Sequence, residues 1–286
     1  MSKDLDQFQA ILYSGVEPQR QRYHRELVET LSEAMSGPMD FHGWVRMVAY
    51  RYGNEPLAAT GSLLDYGGRF NIGRDVDNSI PQPWPALYIA SDQETAYRER
   101  YGLTKTDNVG GLSADDLSLG TADSHTVVRL SGHLEQVLDL SRPEPLEPFC
   151  KVLSKIRVPS EGVKLQKRLR IPTRPSIMIR TAPGLLEVAL HRNWRTMPVQ
   201  FGIPSVSQIL ASLALDAGCE AIRYPSSKGG GDCLAVFPHC LVSDTSCVTL
   251  DDLPPEGVRH RRLDLNTADD LCGWEVLPHR LRPRRP

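Results

Sequence analysis

Short apolar strands and short helical stretches follow one another irregularly in this chain, with no βαβα rhythm and no G-x-G-x-x-G turn after a first strand. A doubly wound parallel sheet needs that rhythm, because each parallel crossover returns through a helix. The pattern predicts an α+β fold instead, with a mixed sheet and flanking helices.

The segments place themselves by period and by punctuation. WVRMVAYRY (44–52) reads as the first strand and PALYIA (85–90) as a short one. Ser91 and Glu94 form an S-x-x-E pattern, which predicts a capped helix from about Asp92 to the stop at Gly102. HTVVRL and QVLDL read as strands, and PLEPFCKVLSKI as a helix. SVSQILASLALDAG (205–218) is the clearest helix, with Ser205 and Gln208 as a second capping pair and Gly218 as its end. EAIRYP and CLAVFP read as strands on either side of the loop SSKGGGD, residues 103–125 as a long loop, and KLQKRLRIPTRP receives no assignment.

Three regions follow. Residues 1–40 read as a helical N-terminal extension, with Tyr23, Leu27, Val28 and Leu31 at helical spacing and Gly37-Pro38 as the stop. Residues 41–247 form the main domain. Residues 248–286 read as a Pro/Arg-rich tail ending in HRLRPRRP.

Bulk properties narrow the partners. The net charge of −2 over 286 residues gives no global field for nucleic acid or an acidic membrane. No apolar run approaches the ~20 residues of a membrane span, and no signal peptide is visible. The six cysteines are scattered without a CxxC pair, which argues against zinc and against a disulfide framework. The expectation is a cytoplasmic protein with reduced thiols and no metal.

Several residues have the chemistry of a site. On PALYIA, Tyr88 shares a face with Ala86 and Ala90, which leaves room for its ring to line a cleft and stack on a planar ligand. The plainer alternative is a tyrosine half-buried at a sheet edge. In the following helix Glu99 shares a face with Thr95 and Ala96, toward the same cleft; the alternative is an exposed carboxylate paired with an arginine. Arg69 follows Gly67-Gly68, where a guanidinium can fork onto phosphate, and Arg46 on the first strand can add a second cation. For either arginine alone the plainer reading is a surface salt bridge. Ser226 and Ser227 stand where a strand enters a glycine loop, as a phosphate or ribose contact or as a polar hairpin turn.

Taken together, R…GGRFN…ALYIA…ETAYRE, then Trp194, a helix, GxxAIRYPSSK and LAVF resemble the RES domain family. The resemblance covers about residues 41–240. Ile72 stands where the family has a proline, and residues 74–83 look inserted. The resemblance implies an ADP-ribosyltransferase-like fold for the main domain and a toxin that consumes NAD⁺ by cleaving its nicotinamide–ribose bond, as a glycohydrolase or phosphorylase. It implies a protein antitoxin with a helix-turn-helix domain, and leaves self-association open. It implies Glu99, Arg69 and Ser226 as catalytic residues. Arg46 and Arg69 would hold the diphosphate, Tyr88 would bracket the nicotinamide ribose, and Ser226, or Ser227 one place on, would position ribose or phosphate. ADP-ribosyl transfer to a macromolecule, a secreted effector and a non-catalytic nucleotide-binding module are the alternatives.

Overall fold

The computed structural model describes residues 2–76, 82–102, 125–171, 178–254 and 256–273. The chain opens with helices α1 (Ser2–Arg22) and α2 (His24–Glu33), then strand β1 (Met39–Ala49). A two-residue ribbon follows, β2 (Gly67–Gly68) with β3 (Asn71–Ile72), and then β4 (Leu87–Ala90) and α3 (Gln93–Tyr101). Strands β5 (His125–Leu134) and β6 (Val137–Asp139) precede five helices. These are α4 (Glu147–Leu153), α5 (Ser160–Arg168), α6 (Ala182–Ala189), α7 (Thr196–Phe201) and α8 (Val206–Asp216). The chain then returns through β7 (Ala221–Pro225), β8 (Asp232–Val236), β9 (Cys247–Leu250), β10 (Arg262–Leu263) and α9 (Ala268–Cys272).

Eight strands form one sheet in the order β10-β9-β5-β1-β4-β8-β7-β6. Every pairing is antiparallel except β6 with β7. This is the mixed α+β architecture the irregular strand–helix order predicts.

Strand alternation separates two cores. On one face Val45, Ala86, Ala90, Ile222, Tyr224, Cys233 and Ala235 meet Leu27 and Leu31 of α2, Phe149 of α4, Leu185 of α6 and Leu210 of α8. On the other, Leu87, Ile89, Leu234 and Val236 meet Leu57, Ala59, Leu263 and Leu271. A third, small cluster joins Phe8 and Leu12 of α1 to Leu165 of α5.

Both ends of the chain differ from the sequence expectation. Leu27 and Leu31 are wholly buried in the main core, so α2 is a structural part of the sheet's helical layer. The segment read as a tail from residue 248 supplies β9, β10 and α9, and its Val248, Leu263 and Leu271 are wholly buried. Proline and arginine content hid these elements because the strands are only two to four residues long. The terminal arginines, residues 274–286, and the loop 103–124 lie outside the described residues.

The unassigned KLQKRLRIPTRP begins in α5, whose Leu165 packs on α1; its residues 172–175 lie outside the described residues. No helix among the described residues is long and apolar enough to cross a membrane.

Candidate active site

Helix α3 is held by its N-cap. The sequence pattern puts the cap at Ser91, but the structure puts it at Asp92. Ser91 extends the β4–β8 ladder by one residue, its N–H donating to Asp232 O and its Oγ accepting from Asp232 N. Asp92 is therefore the first residue free to cap, and it accepts from Thr95 N and from Thr95 Oγ1, each at 2.8 Å. Burial pushes the Asp92 carboxyl up, but bonds from Thr95 and Ser91 outweigh this and leave it below its ordinary value. Gly102 closes the helix in the left-handed conformation, φ +75°.

Glu99, one turn before that end, points at the loop between β7 and β8. Ser226 Oγ donates to Glu99 Oε1 at 2.6 Å. Lys228 Nζ stands 3.8 Å from Glu99 Oε2 and 3.5 Å from the Glu99 carbonyl oxygen. The Glu99 side chain is 24% exposed. Ser226 Oγ in turn accepts from Lys228 N at 3.1 Å and Gly229 N at 2.8 Å, so one hydroxyl fixes both the loop and the carboxylate.

The glycine run fits tightly against α3. A Cβ on Gly229 would lie 2.6 Å from Thr95 Oγ1 and 2.9 Å from Thr95 Cα. Gly231 N donates to Thr95 Oγ1 at 3.1 Å. Here the glycines permit a close approach of backbone to helix.

Arg69 sits at the tip of the β2–β3 ribbon and is only 5% exposed. Its guanidinium donates to Ala189 O at 3.1 Å, His191 O at 2.9 Å and Ser227 Oγ at 2.9 Å. It also lies 6.0 Å from the centre of the Trp194 ring. The ribbon is pinned from three sides. Gly67 takes φ +80°. Asn71 Oδ1 accepts from Gly68 N at 2.8 Å and from the Tyr88 hydroxyl at 2.9 Å. Gln208, the capping glutamine of α8, reaches Tyr66 O, Gly68 O and Asn71 O.

Four of the six residues singled out in the sequence, Glu99, Ser226, Arg69 and Ser227, thus meet around one loop. Glu99 with Ser226, and Arg69 with Ser227, form two bonded pairs joined through adjacent serines. Tyr88 holds the ribbon that carries Arg69, its hydroxyl accepting from Phe70 N at 2.9 Å and donating to Asn71. Burial raises its pKa strongly, so the phenol stays protonated.

Arg46 stands apart. Its neighbours Val45 and Met47 share the core that Tyr88 packs against, so alternation sends Arg46 to the other face. There it donates to Ala58 O at 2.8 Å and Tyr88 O at 3.3 Å, and its buried Nε has no partner among the described residues. Burial, aided by the like charge of Arg100, lowers its pKa to about 10.

Sequence reading missed three participants. Lys228 is visible in SSKGGGD, but a lysine ahead of the glycines does not match a Walker-type phosphate loop, and the sequence gives it no other role. Asn71 and Gln208 carried a signal as well, being amides next to a glycine turn and a cap, whose buried donors and acceptors need partners.

An apolar cavity of about 700 Å³ lies nearby, between α1 and helices α6 to α8. Phe8, Leu12, Leu210 and Trp194 help line it, whereas Glu99 and Ser226 do not. Trp194 lines the cavity and also lies beside Arg69. Among the described residues no group of His, Cys, Asp and Glu could hold a metal ion.

The arrangement offers a fixed carboxylate beside cations and hydroxyls, which suits stabilisation of a developing positive charge on a substrate that itself carries negative groups. The family model described as the RES domain matches residues 44–265. No curated protein matches the chain. Among solved structures, the chain is similar to the crystal structure of the M. tuberculosis MbcT–MbcA toxin–antitoxin complex. The identity is 14%, the match covers 86% of this chain and 97% of that chain, and the TM-score is 0.45.

Proposed function

We propose, from the premise that this chain belongs to the RES domain family, that it is an enzyme consuming NAD⁺ by cleaving the nicotinamide–ribose bond. The observation that carries the reading is the Glu99 carboxylate, fixed by the Ser226 hydroxyl at 2.6 Å and flanked by Lys228.

The residues present fit the substrate. Arg69, Lys228 and Arg195 act electrostatically on the same small region, and Glu99 is the carboxylate among them. Such an excess of positive charge suits a diphosphate. The carboxylate suits the ribose carbon, where bond breaking builds an oxocarbenium-like cation.

The chemistry balances without an acid. The C1′–N1 bond breaks, and its electron pair goes to the positively charged pyridinium nitrogen. Nicotinamide leaves neutral. A water oxygen then bonds to C1′ and passes its extra proton to bulk water, or an anionic phosphate oxygen bonds to C1′ with no proton to lose. Glu99 stabilises the charge on the ribose, Ser226 holds Glu99 in place, and Arg69 with Ser227 sets the position of the ribbon and the loop. Tyr88 supports that ribbon through its hydroxyl, and its ring closes the floor beneath the nicotinamide ribose. One preorganised electrostatic contact of this kind is worth about 10²–10³ in rate.

The proposal extends to the cell, where this chain acts as a toxin held inactive by a protein antitoxin with a helix-turn-helix domain; its membership of the RES domain family supports this. An ADP-ribosyltransferase-like fold for residues 41–247 belongs to the same reading.

The test is direct. Purified protein incubated with NAD⁺, with and without inorganic phosphate, should release nicotinamide, and the co-product names the acceptor as water or phosphate. Folded protein that leaves NAD⁺ intact in both conditions, and in a cell extract supplying macromolecular acceptors, contradicts the proposal.

A further inference from the structure

Lys228 is poorly satisfied where it stands. An ammonium has three N–H donors, yet its nearest described acceptors, Glu99 Oε2 and Glu99 O, lie at 3.8 and 3.5 Å. Both are beyond good hydrogen-bond geometry. Its side chain is only 18% exposed, so water offers limited compensation. Burial lowers its pKa and so do Arg195 and Arg69, against the raising effect of Glu99.

The other cations of the cluster differ in how they are used. Arg69 is spent on two carbonyl oxygens and on Ser227. Arg46 is turned to the opposite face of the sheet. Arg195 is exposed, lies 5.3 Å from the centre of the Trp194 ring, and has no carboxylate partner among the described residues. Lys228 and Arg195 are therefore the cations whose charge is left for a ligand.

We infer that Lys228 and Arg195 form the seat for the substrate's diphosphate, and that Lys228 changes partner on binding, from the Glu99 carboxylate to a phosphate oxygen. This rests on the NAD⁺ reading above and refines it, moving the diphosphate away from Arg46 and Arg69. The exchange frees Glu99 Oε2 for a ribose hydroxyl while Ser226 keeps Oε1 in place. Without the anion, Lys228 partly offsets the Glu99 charge, and the carboxylate is fully effective once a diphosphate has drawn the ammonium away. The exchange needs only the Lys228 side chain to swing, because the loop backbone stays held where Ser226 N donates to Gly231 O and Gly229 N to Ser226 Oγ.

The experiment compares wild type, Lys228→Met, Lys228→Arg and Arg195→Met. ADP binding is followed by calorimetry, and NAD⁺ and nicotinamide riboside turnover by nicotinamide release. Loss of a charge-assisted bond predicts an ADP affinity about tenfold weaker in Lys228→Met and an NAD⁺ KM higher by a similar factor. Lys228→Arg restores both. Nicotinamide riboside, which has no diphosphate, shows no such KM difference.

Wild-type protein that does not bind ADP, or folded Lys228→Met with unchanged ADP affinity, overturns the seat. Arg195→Met, made at an exposed side chain, gives the same decision where Lys228→Met fails to fold. Wild-type protein that binds ADP but releases no nicotinamide contradicts the NAD⁺ reading alone, and the ADP comparison still decides the seat.

Discussion

Ser226 Oγ lies 2.6 Å from Glu99 Oε1, and the same oxygen accepts the backbone N–H groups of Lys228 and Gly229. One hydroxyl thereby aims the carboxylate and shapes the loop. Ser226→Ala should lower nicotinamide release about 10- to 100-fold, the worth of a hydrogen bond to a charged group. Steady-state kinetics beside a melting curve checks this. Wild-type turnover in the folded variant would remove Ser226 from the positioning of Glu99.

The closeness of the glycine loop to α3 gives a second expectation. Gly229→Ala would place a methyl carbon 2.9 Å from Thr95 Cα, which is backbone and cannot rotate away. The loop must shift, and Ser226 and Lys228 shift with it. We expect a loss of about 1–3 kcal/mol in stability, as for overpacking elsewhere, together with a fall in turnover. Denaturant titration measures the first, and an unchanged midpoint would show that the loop is slack.

The N-terminal helices provide a third. Leu27 is wholly buried against the helical layer of the sheet. Leu27→Ala should cost about 2–5 kcal/mol, a core value. A cost below about 0.5 kcal/mol, typical of a surface site, would mean that α2 is a detachable extension.

Alkaline stability gives a fourth. Burial pushes the thiols of Cys150, Cys219, Cys233 and Cys272 up to about 12. Their unfolded values lie near 8.5. With folded values above unfolded ones, the unfolded chain binds fewer protons as pH rises, so stability is complete below about pH 8.5 and falls progressively from there toward 12. Buried Tyr88 and Tyr224 act in the same direction above about pH 10. The melting temperature should be level from about pH 7 to 8.5 and lower at about pH 10. A value unchanged at about pH 10 would contradict the burial of these groups.

Much of the site was legible because its signals are local. Gly67-Gly68 before Arg69, the Ala-Tyr-Ala face of β4 and the glycines after Lys228 each name a backbone requirement that a sequence displays directly. The capping pair Ser205–Gln208 is present as read, with both reciprocal bonds formed. What failed depends on the third dimension. Ser91 lost the cap to Asp92 because the β4–β8 ladder runs one residue further than the apolar run suggests. The reading of Arg46 as a second cation from its place on the first strand takes no account of strand alternation, which turns it to the other face. The pairing of β9 with β5 across more than a hundred residues, and the two-residue length of β10, leave no local period to detect.

The central claim rests on Glu99, and the most direct measurement is nicotinamide release from NAD⁺ by Glu99→Gln beside wild type. The substitution keeps the shape and an acceptor oxygen for Ser226 while removing the charge. A folded variant with turnover lower by about 10²–10³ is the predicted result. A folded variant that turns over NAD⁺ at the wild-type rate would contradict it.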